Sequence, residues 1–204
     1  MRLYIGITIF NVLMEDAFKN KYKISSARLP GWDYGSHALY YVTICTKDRL
    51  KYFGEIIQNT NINPETQNVE TQNFASLQPT LIGEVAHNNW LDIPNHFPFV
   101  ELDDFVVMPN HVHGIIFINK PNKTDWQINK FGSQSQNLGS IVRGYKASVK
   151  TYATINNFEF AWQSRYHDRV IRNQQEYLNI REYIFNNPEQ WLLNGDVDDN
   201  FFKS

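Results

Sequence analysis

Apolar positions change their period several times along the chain, and each change marks an element. Ala38 to Thr46 is dense in aromatic and β-branched residues and predicts a strand. Tyr52 to Ile57 predicts a second, short one. Gln58 to Pro79 is dominated by Asn, Gln and Thr and reads as a loop or excursion. From Thr80 to Leu91, the residues Leu81, Ile82, Val85, Trp90 and Leu91 fall close to helical spacing, and Pro94 is expected to stop that helix. Phe99 to Met108 and Val112 to Ile118 predict two further strands. Pro109 and Asn110 between them suit a tight reversal, because Pro presets its own backbone angle and Asn tolerates a left-handed one. The two strands are therefore expected to pair antiparallel. Asn119 to Asn137, with Pro121 and Gly132, reads as a loop. Gly139 to Ile155 gathers Ile141, Val142, Tyr145, Val149, Tyr152 and Ala153 on a helical face with cations beside it. A last helix is expected to begin near Asn173, with Glu176 placed as in a capping box, and to carry its apolar stripe through Ile180 and Ile184. Pro188 should end it or start a new turn, since the residue before a proline is pushed out of helical geometry. Strands and helices alternate without repeated parallel units. The pattern points to an α+β sandwich, an antiparallel sheet covered by helices.

Composition narrows the function classes. A chain of 204 residues fits one domain with a sizeable core. Its formal net charge of −2 excludes a uniformly basic coat, so any nucleic-acid surface must be a local patch. The charge is uneven. Glu84 to Asp104 carries Glu84, Asp92, Glu101, Asp103 and Asp104 and no Lys or Arg, whereas Arg143 to Arg172 carries six cations against Glu159 and Asp168. Cys45 is the only cysteine, which rules out an internal disulfide and suits a reducing cytoplasm. Within a strand-like run it reads as a small buried residue rather than a nucleophile. Leu3 to Met14 is mostly apolar, but Glu15 and Asp16 follow it in place of a small-residue cleavage site. It is also shorter than the roughly 20 residues that a bilayer needs. It reads as an added strand, or as sequence upstream of a natural start at Met14, and no membrane partner is expected.

The segment richest in chemistry is Met108-Pro109-Asn110-His111-Val112-His113-Gly114. On a strand, His111 and His113 present their imidazoles on one face, with Val112 pointing the other way into a core. Two such rings can share a divalent ion. Gly114 leaves room for a backbone or a ligand to approach. Taken alone, the same spacing is that of two ordinary histidines beside a turn, and a catalytic metal needs a third protein ligand and open positions. A second segment runs Arg181-Glu182-Tyr183-Ile184-Phe185-Asn186-Asn187-Pro188. On a helix, Tyr183 and Asn187 lie one turn apart on one face, a phenol and an amide oxygen. By pattern alone they read as a boundary tyrosine and a helix-ending asparagine.

The order of segments resembles the REP-associated tyrosine transposases of the HUH endonuclease superfamily. The matching pieces are Arg28-Leu29-Pro30-Gly31-Trp32-Asp33-Tyr34, Tyr41 to Thr46, Val100 to Asp103 running into Val106 to Ile116, Leu138 to Val142 with Tyr145-Lys146, Trp162 to Asn173, and Tyr183-Ile184 with Asn187-Pro188. The resemblance spans roughly Ser25 to Leu193. It implies an N-terminal extension over 1–24, a transposase catalytic domain over 25–195 and an acidic tail over 196–204. It also implies a ferredoxin-like sheet with the histidine pair on a central strand, and DNA transposition as the activity. In such proteins the late-helix tyrosine is the nucleophile, which maps to Tyr183. The residue four positions on helps to hold the metal, which maps to Asn187 beside His111 and His113. Tyr166 and Tyr177 compete, but Val170 and Arg181 stand where an amide ligand would be needed.

The resemblance further implies cleavage and rejoining of single-stranded DNA bearing a hairpin or inverted repeat, through a 5′-phosphotyrosine. The implied cofactor is a divalent metal. Imidazole plus amide oxygen suits Mn²⁺ better than an all-oxygen site does, and Mg²⁺ also fits where phosphate and water complete the set. Arg143, Lys146, Lys150, Arg165, Arg169 and Arg172 are candidate phosphate contacts, and they read equally as a solvated helix face. Trp162 and Tyr166 are candidates for stacking on unpaired bases, or for core aromatics. Arg28 is a further candidate DNA contact, and His167 reads as a hydrogen-bonding residue near the site. Both a monomer and a homodimer are compatible with the resemblance. The alternative reading is a domesticated protein that grips DNA hairpins without strand transfer.

Overall fold

The computed structural model describes residues 29, 31–59, 74–126 and 135–196. Among them the strands are β1 (Ala38–Cys45), β2 (Gly54–Asn59), β3 (Phe74–Pro79), β4 (Val100–Met108), β5 (His111–Ile118) and β6 (His167–Val170). The helices are α1 (Leu81–Leu91), α2 (Ile93–His96), α3 (Leu138–Ile155) and α4 (Gln174–Asn194). Strands β4, β5, β1 and β6 form one sheet in that order, with every neighbouring pair antiparallel. With α1 before β4 and α3 before β6, the main sheet is traced as β-α-β-β-α-β, the ferredoxin-like arrangement. The fold is an α+β sandwich, and the strand that carries His111 and His113 is central. No helix among the described residues is long and apolar enough to cross a membrane. Arg28, the extension over 1–24 and the tail from 197 onward lie outside the described residues.

Strands β1 and β5 are buried along their whole length because both faces of the sheet are covered. On one face Tyr40, Val42, Ile44, Val112 and Ile116 pack against Trp90 of α1 and against Ile141, Tyr145 and Val149 of α3. On the other, Leu39, Tyr41, Ile115 and Phe117 pack against Tyr177, Ile180 and Ile184 of α4. Side chains alternate along a strand, so His111 and His113 join the face of Ile115 and Phe117, while Val112 joins the opposite core. Helix α4 is thus the element laid over the histidine side.

Several expectations change. The segment Phe74–Pro79 is a strand rather than loop, since β2 offers it a partner from Gly54↔Pro79 to Asn59↔Phe74. The reversal at Pro109 and Asn110 pairs β4 and β5 antiparallel as expected, without a positive φ at Asn110. Pro94 does not simply stop α1. The helix closes at an Asp92 cap, and Pro94 then sits in the first turn of α2, where its missing N–H costs nothing. Asn173 does cap α4, but Glu176 turns away to Arg169 and to the Arg172 N–H, and the reciprocal capping box forms instead at Asn137 and Ser140 of α3.

Pro188 does not end α4, which continues to Asn194. An interior proline costs a helix about 3 kcal/mol. Here Asn187 and Pro188 are both buried, and the turn beyond them is held by Trp191 against His111 and by Asp196 on Asn110. Tertiary contacts on both sides of the proline outweigh its local cost.

Gly114 is also reassigned. A Cβ there would lie 2.3 Å from Cζ2 of the fully buried Trp90. The missing side chain makes room for the indole of α1 on the face opposite the histidines, not for a ligand. Gly114→Ala is expected to destabilise the protein by about 1–3 kcal/mol through overpacking. Urea unfolding measures this directly, and an unchanged midpoint would mean that Trp90 moves aside freely.

Candidate functional site

Register places the histidine pair. In the β1–β5 ladder, Cys45 stands opposite His111, Thr43 opposite His113 and Tyr41 opposite Ile115. Directly paired residues share a face, so Tyr41 and Thr43 flank His113 from the neighbouring strand. The Tyr41 hydroxyl lies 2.7 Å from Nδ1 of His113 and the Thr43 hydroxyl 2.9 Å from the same atom. The nitrogen used within the protein is therefore Nδ1. The two imidazoles lie edge to face with centroids 4.4 Å apart.

His111 is held from the turn. Its Nδ1 is 2.6 Å from Oδ1 of Asn110. The Asn110 amide is wholly buried, and its Nδ2 donates to the Arg49 carbonyl at 3.0 Å and to the Asp196 carboxylate at 2.7 Å. Two acceptors on the nitrogen leave the amide oxygen facing His111. An amide oxygen only accepts, so Nδ1 of His111 carries the proton and Nε2 carries the lone pair. That Nε2 is buried and makes no hydrogen bond among the described residues. Burial, then His113, then Arg49 hold the His111 pKa well below the usual range, so the ring is neutral. A buried, neutral imidazole with its lone pair unused is an arrangement that a bound cation would satisfy.

Helix α4 completes the cluster. The Tyr183 ring meets the His113 ring edge to face at 5.3 Å and the Tyr41 ring at 6.5 Å. Two turns later the Trp191 ring lies 6.0 Å from that of His111. Asn187 is midway between them, four residues from each, and buried. Spacing of i, i+4, i+8 keeps the three side chains on one helix side, so Asn187 lies over the histidine pair. Among the described residues, no group of three or more His, Cys, Asp or Glu side chains is placed to hold a metal. Asn187 brings a buried carboxamide to the side of α4 that carries Tyr183 and Trp191.

The helix is locked in this position at its first half. The Tyr177 hydroxyl donates to Asp103, and Nε of Arg181 donates to Asp104 at 2.6 Å. Both acids sit where the β4–β5 register shifts between Leu102 and Phe105, a bulge that turns consecutive residues toward α4. One of the competing tyrosines is engaged in the contact to Asp103. Burial first, then the bond to Asp103, push the Tyr177 pKa upward, so it keeps its proton. The other competitor, Tyr166, packs partly buried against the α1–α3 core.

The predicted DNA contacts are less unified. Arg143, Lys146 and Lys150 lie on α3, which covers the sheet face away from Tyr183. Lys146 donates to the carbonyls of Gln163 and Ser164, and Lys150 to that of Phe160. Trp162 packs on Phe53, Tyr145 and Phe160 and donates to the Lys146 carbonyl. Arg143 and Arg165 are exposed. Arg169 stands opposite Tyr41, on the histidine side, where it pairs with Glu176. Arg172 is half-buried. His167 stands opposite Thr43 and is exposed, in one cross-sheet row with His113. Sequence reasoning did not single out Tyr41, Thr43, Arg49, Lys51, Trp191 or Asp196. Only strand register could have exposed Tyr41 and Thr43, and the i+8 spacing from Tyr183 could have exposed Trp191.

Asn110→Ala removes the fixed acceptor and leaves the buried Nδ1–H of His111 and the Arg49 carbonyl without this amide. It is expected to cost about 1–3 kcal/mol in urea unfolding. The Nε2–H tautomer of His111 should then become populated, which imidazole nitrogen NMR shifts report. An unchanged tautomer would show that another group sets it.

No family model matches the chain. A protein of Haemophilus influenzae, described as an uncharacterized protein, is 37% identical over 176 residues, covering 81% of this chain and 88% of that one. A solved structure, described as a REP-associated tyrosine transposase bound to a REP hairpin, aligns with a TM-score of 0.44 at 17% identity. The alignment covers 84% of this chain and 73% of that one.

Proposed function

We propose that this chain, which belongs to one family with the Haemophilus influenzae protein, cuts and rejoins single-stranded DNA through a covalent bond to Tyr183. The observation that carries the reading is the meeting of Tyr183 with His113, beside a His111 whose Nε2 is buried and makes no hydrogen bond among the described residues. The sequence resemblance implies the same chemistry and the same substrate, a strand bearing a hairpin.

The donor set fits a divalent cation: two imidazoles with Nδ1 engaged inside the protein, and a buried amide one helical turn from the tyrosine. His111, His113 and Asn187 would hold it, and when bound it supplies a Lewis acid that offsets charge on a scissile phosphate oxygen. The chain's own residues do the rest. Asn110 fixes the His111 ring, Thr43 and Tyr41 fix that of His113, and the Asp103–Tyr177 and Asp104–Arg181 contacts hold α4 so that Tyr183 faces the pair. A phenol has an unperturbed pKa of about 10, so Tyr183 must give up its proton as it attacks. Its oxygen bonds to phosphorus, the bond from phosphorus to the 3′-oxygen breaks, and that oxygen leaves as a 3′-hydroxyl. Rejoining reverses the exchange: a 3′-hydroxyl attacks the phosphotyrosine and the phenol leaves. One phosphoester replaces another at each step, so no nucleotide cofactor is consumed.

The test is covalent capture. Labelled single-stranded oligonucleotides carrying hairpins from the gene's flanks are mixed with protein and Mn²⁺ or Mg²⁺ and run on a denaturing gel. A metal-dependent protein–DNA band is expected, absent in Tyr183→Phe and reduced at least about a hundredfold in His111→Ala, in line with loss of a principal catalytic group. A band that persists in Tyr183→Phe and disappears in Tyr41→Phe would move the nucleophile to the other tyrosine at the pair. Cleavage without any adduct would indicate a hydrolase. Hairpin binding with neither cleavage nor adduct would indicate the domesticated binder.

A further inference from the structure

The rim of the histidine pair holds groups that the strand-transfer chemistry does not use. Trp191 lies on the last turns of α4 with its ring 6.0 Å from His111, and it is only partly buried. Above that ring sits Nζ of the exposed Lys51, 5.6 Å from the centroid. Arg49, two residues earlier, directs its guanidinium to Sγ of Cys45 at 3.3 Å, and Cys45 stands opposite His111. Both cations come from the short turn that follows β1, which the Arg49 carbonyl ties to Asn110. An aromatic face, two cations and a neutral histidine therefore share one edge of the site.

Each component matches a part of one ligand. A half-exposed indole offers a π-face to an unpaired base, and stacking tolerates any base. Lys51 and Arg49 supply positive charge where the chain as a whole has a net charge of −2. A duplex base is already stacked on its neighbours and cannot reach the ring without leaving the helix.

We infer that Trp191 and Lys51 form a nucleotide subsite that takes one unpaired base and an adjoining phosphate of a single DNA strand beside the histidine pair. The inference rests on the proposed strand-transfer reading for its location and chemistry, but binding at this subsite needs neither metal nor cleavage. Trp191 stacks the base, Lys51 meets the phosphate, and Asn187, one turn back, lies between this subsite and Tyr183. The chain would then grip its strand at a point set by the same helix that carries the nucleophile.

The test measures binding alone. A short fluorescein-labelled oligo(dT) is titrated in EDTA by anisotropy against wild type, Trp191→Ala, Trp191→Phe and Lys51→Ala, with a duplex of equal length as the control. Trp191→Ala is expected to weaken oligo(dT) binding about tenfold and Trp191→Phe to restore most of it. Lys51→Ala should lower the slope of log affinity against log salt by about 0.7, the value for one phosphate contact on a single strand. Duplex affinity should not respond to Trp191. Equal oligo(dT) affinity in all four proteins, or no binding by wild type, would overturn the subsite. So would a Trp191→Ala protein that melts earlier yet binds normally, because the ring would then be structural. Lys51 is exposed, so its variant decides the matter even where Trp191→Ala fails to fold. Normal binding by the variants together with a wild-type covalent adduct rejects the subsite and keeps strand transfer; weakened binding without any adduct does the reverse.

Discussion

The site depends on the register of β1 against β5. A slip of one residue would turn His111 and His113 into the α1–α3 core and set Val112 toward α4. A slip of two would keep the histidines on their face but place Cys45, not Thr43, opposite His113. The observed pairing does more than aim the rings. It brings Tyr41 and Thr43 to Nδ1 of His113, so the strand that buries the sheet's centre also orients one of its functional groups. Gly114 secures that register from the other side, where the Trp90 indole fills the space a side chain would take.

The second half of the site arrives on α4, and its attachment is unlike ordinary helix-on-sheet packing. Ile180 and Ile184 supply apolar contact, but apolar contact alone is tolerant of sliding. Directional bonds remove that freedom at both ends. Asp103 and Asp104 receive Tyr177 and Arg181 near the start, and Asp196, past the Gly195 cap, reaches Asn110 at the end. Asn110 is thus shared between the histidine turn and the far end of the helix. The tyrosine helix and the histidine strand are fixed to each other through one buried amide.

The sequence made β1, β4, β5 and the helices α1, α3 and α4 legible because their apolar periods are long and clean, whereas β6, four residues long, carries no such period. The pairing of His111 with His113 on one face followed from strand geometry alone. The hairpin strand Phe74–Pro79 was illegible, because its polar, short run gains strand structure only from the partner it finds in β2. Pro188 misled for the opposite reason: local preference opposes a helix there, and distant contacts override it. The basic residues were legible as a cluster in sequence but not in space. Arg143, Lys146 and Lys150 ride a helix on the far face, and two of their ammonium groups are taken by backbone carbonyls. The cations at the pair, Arg49 and Lys51, belong to a short turn with no periodic signal at all.

Charge distribution gives the arrangement its sense. The substrate of the proposed reaction is an anion, and a site ringed by carboxylates would repel it. Here the groups at the centre are two imidazoles, hydroxyls and an amide, and the cations at the rim are Arg49 and Lys51. The acids of the neighbouring strand are not spread around that centre. Asp103 and Asp104 are engaged by Tyr177 and Arg181 on the first half of α4, while Asp196 accepts from the Asn110 amide beyond its far end. A chain of net charge −2 thereby keeps one locally receptive edge. The same hydrogen bonds that fix α4 also hold those carboxylates in place, so fixing the helix and fixing the charges beside it are one structural solution.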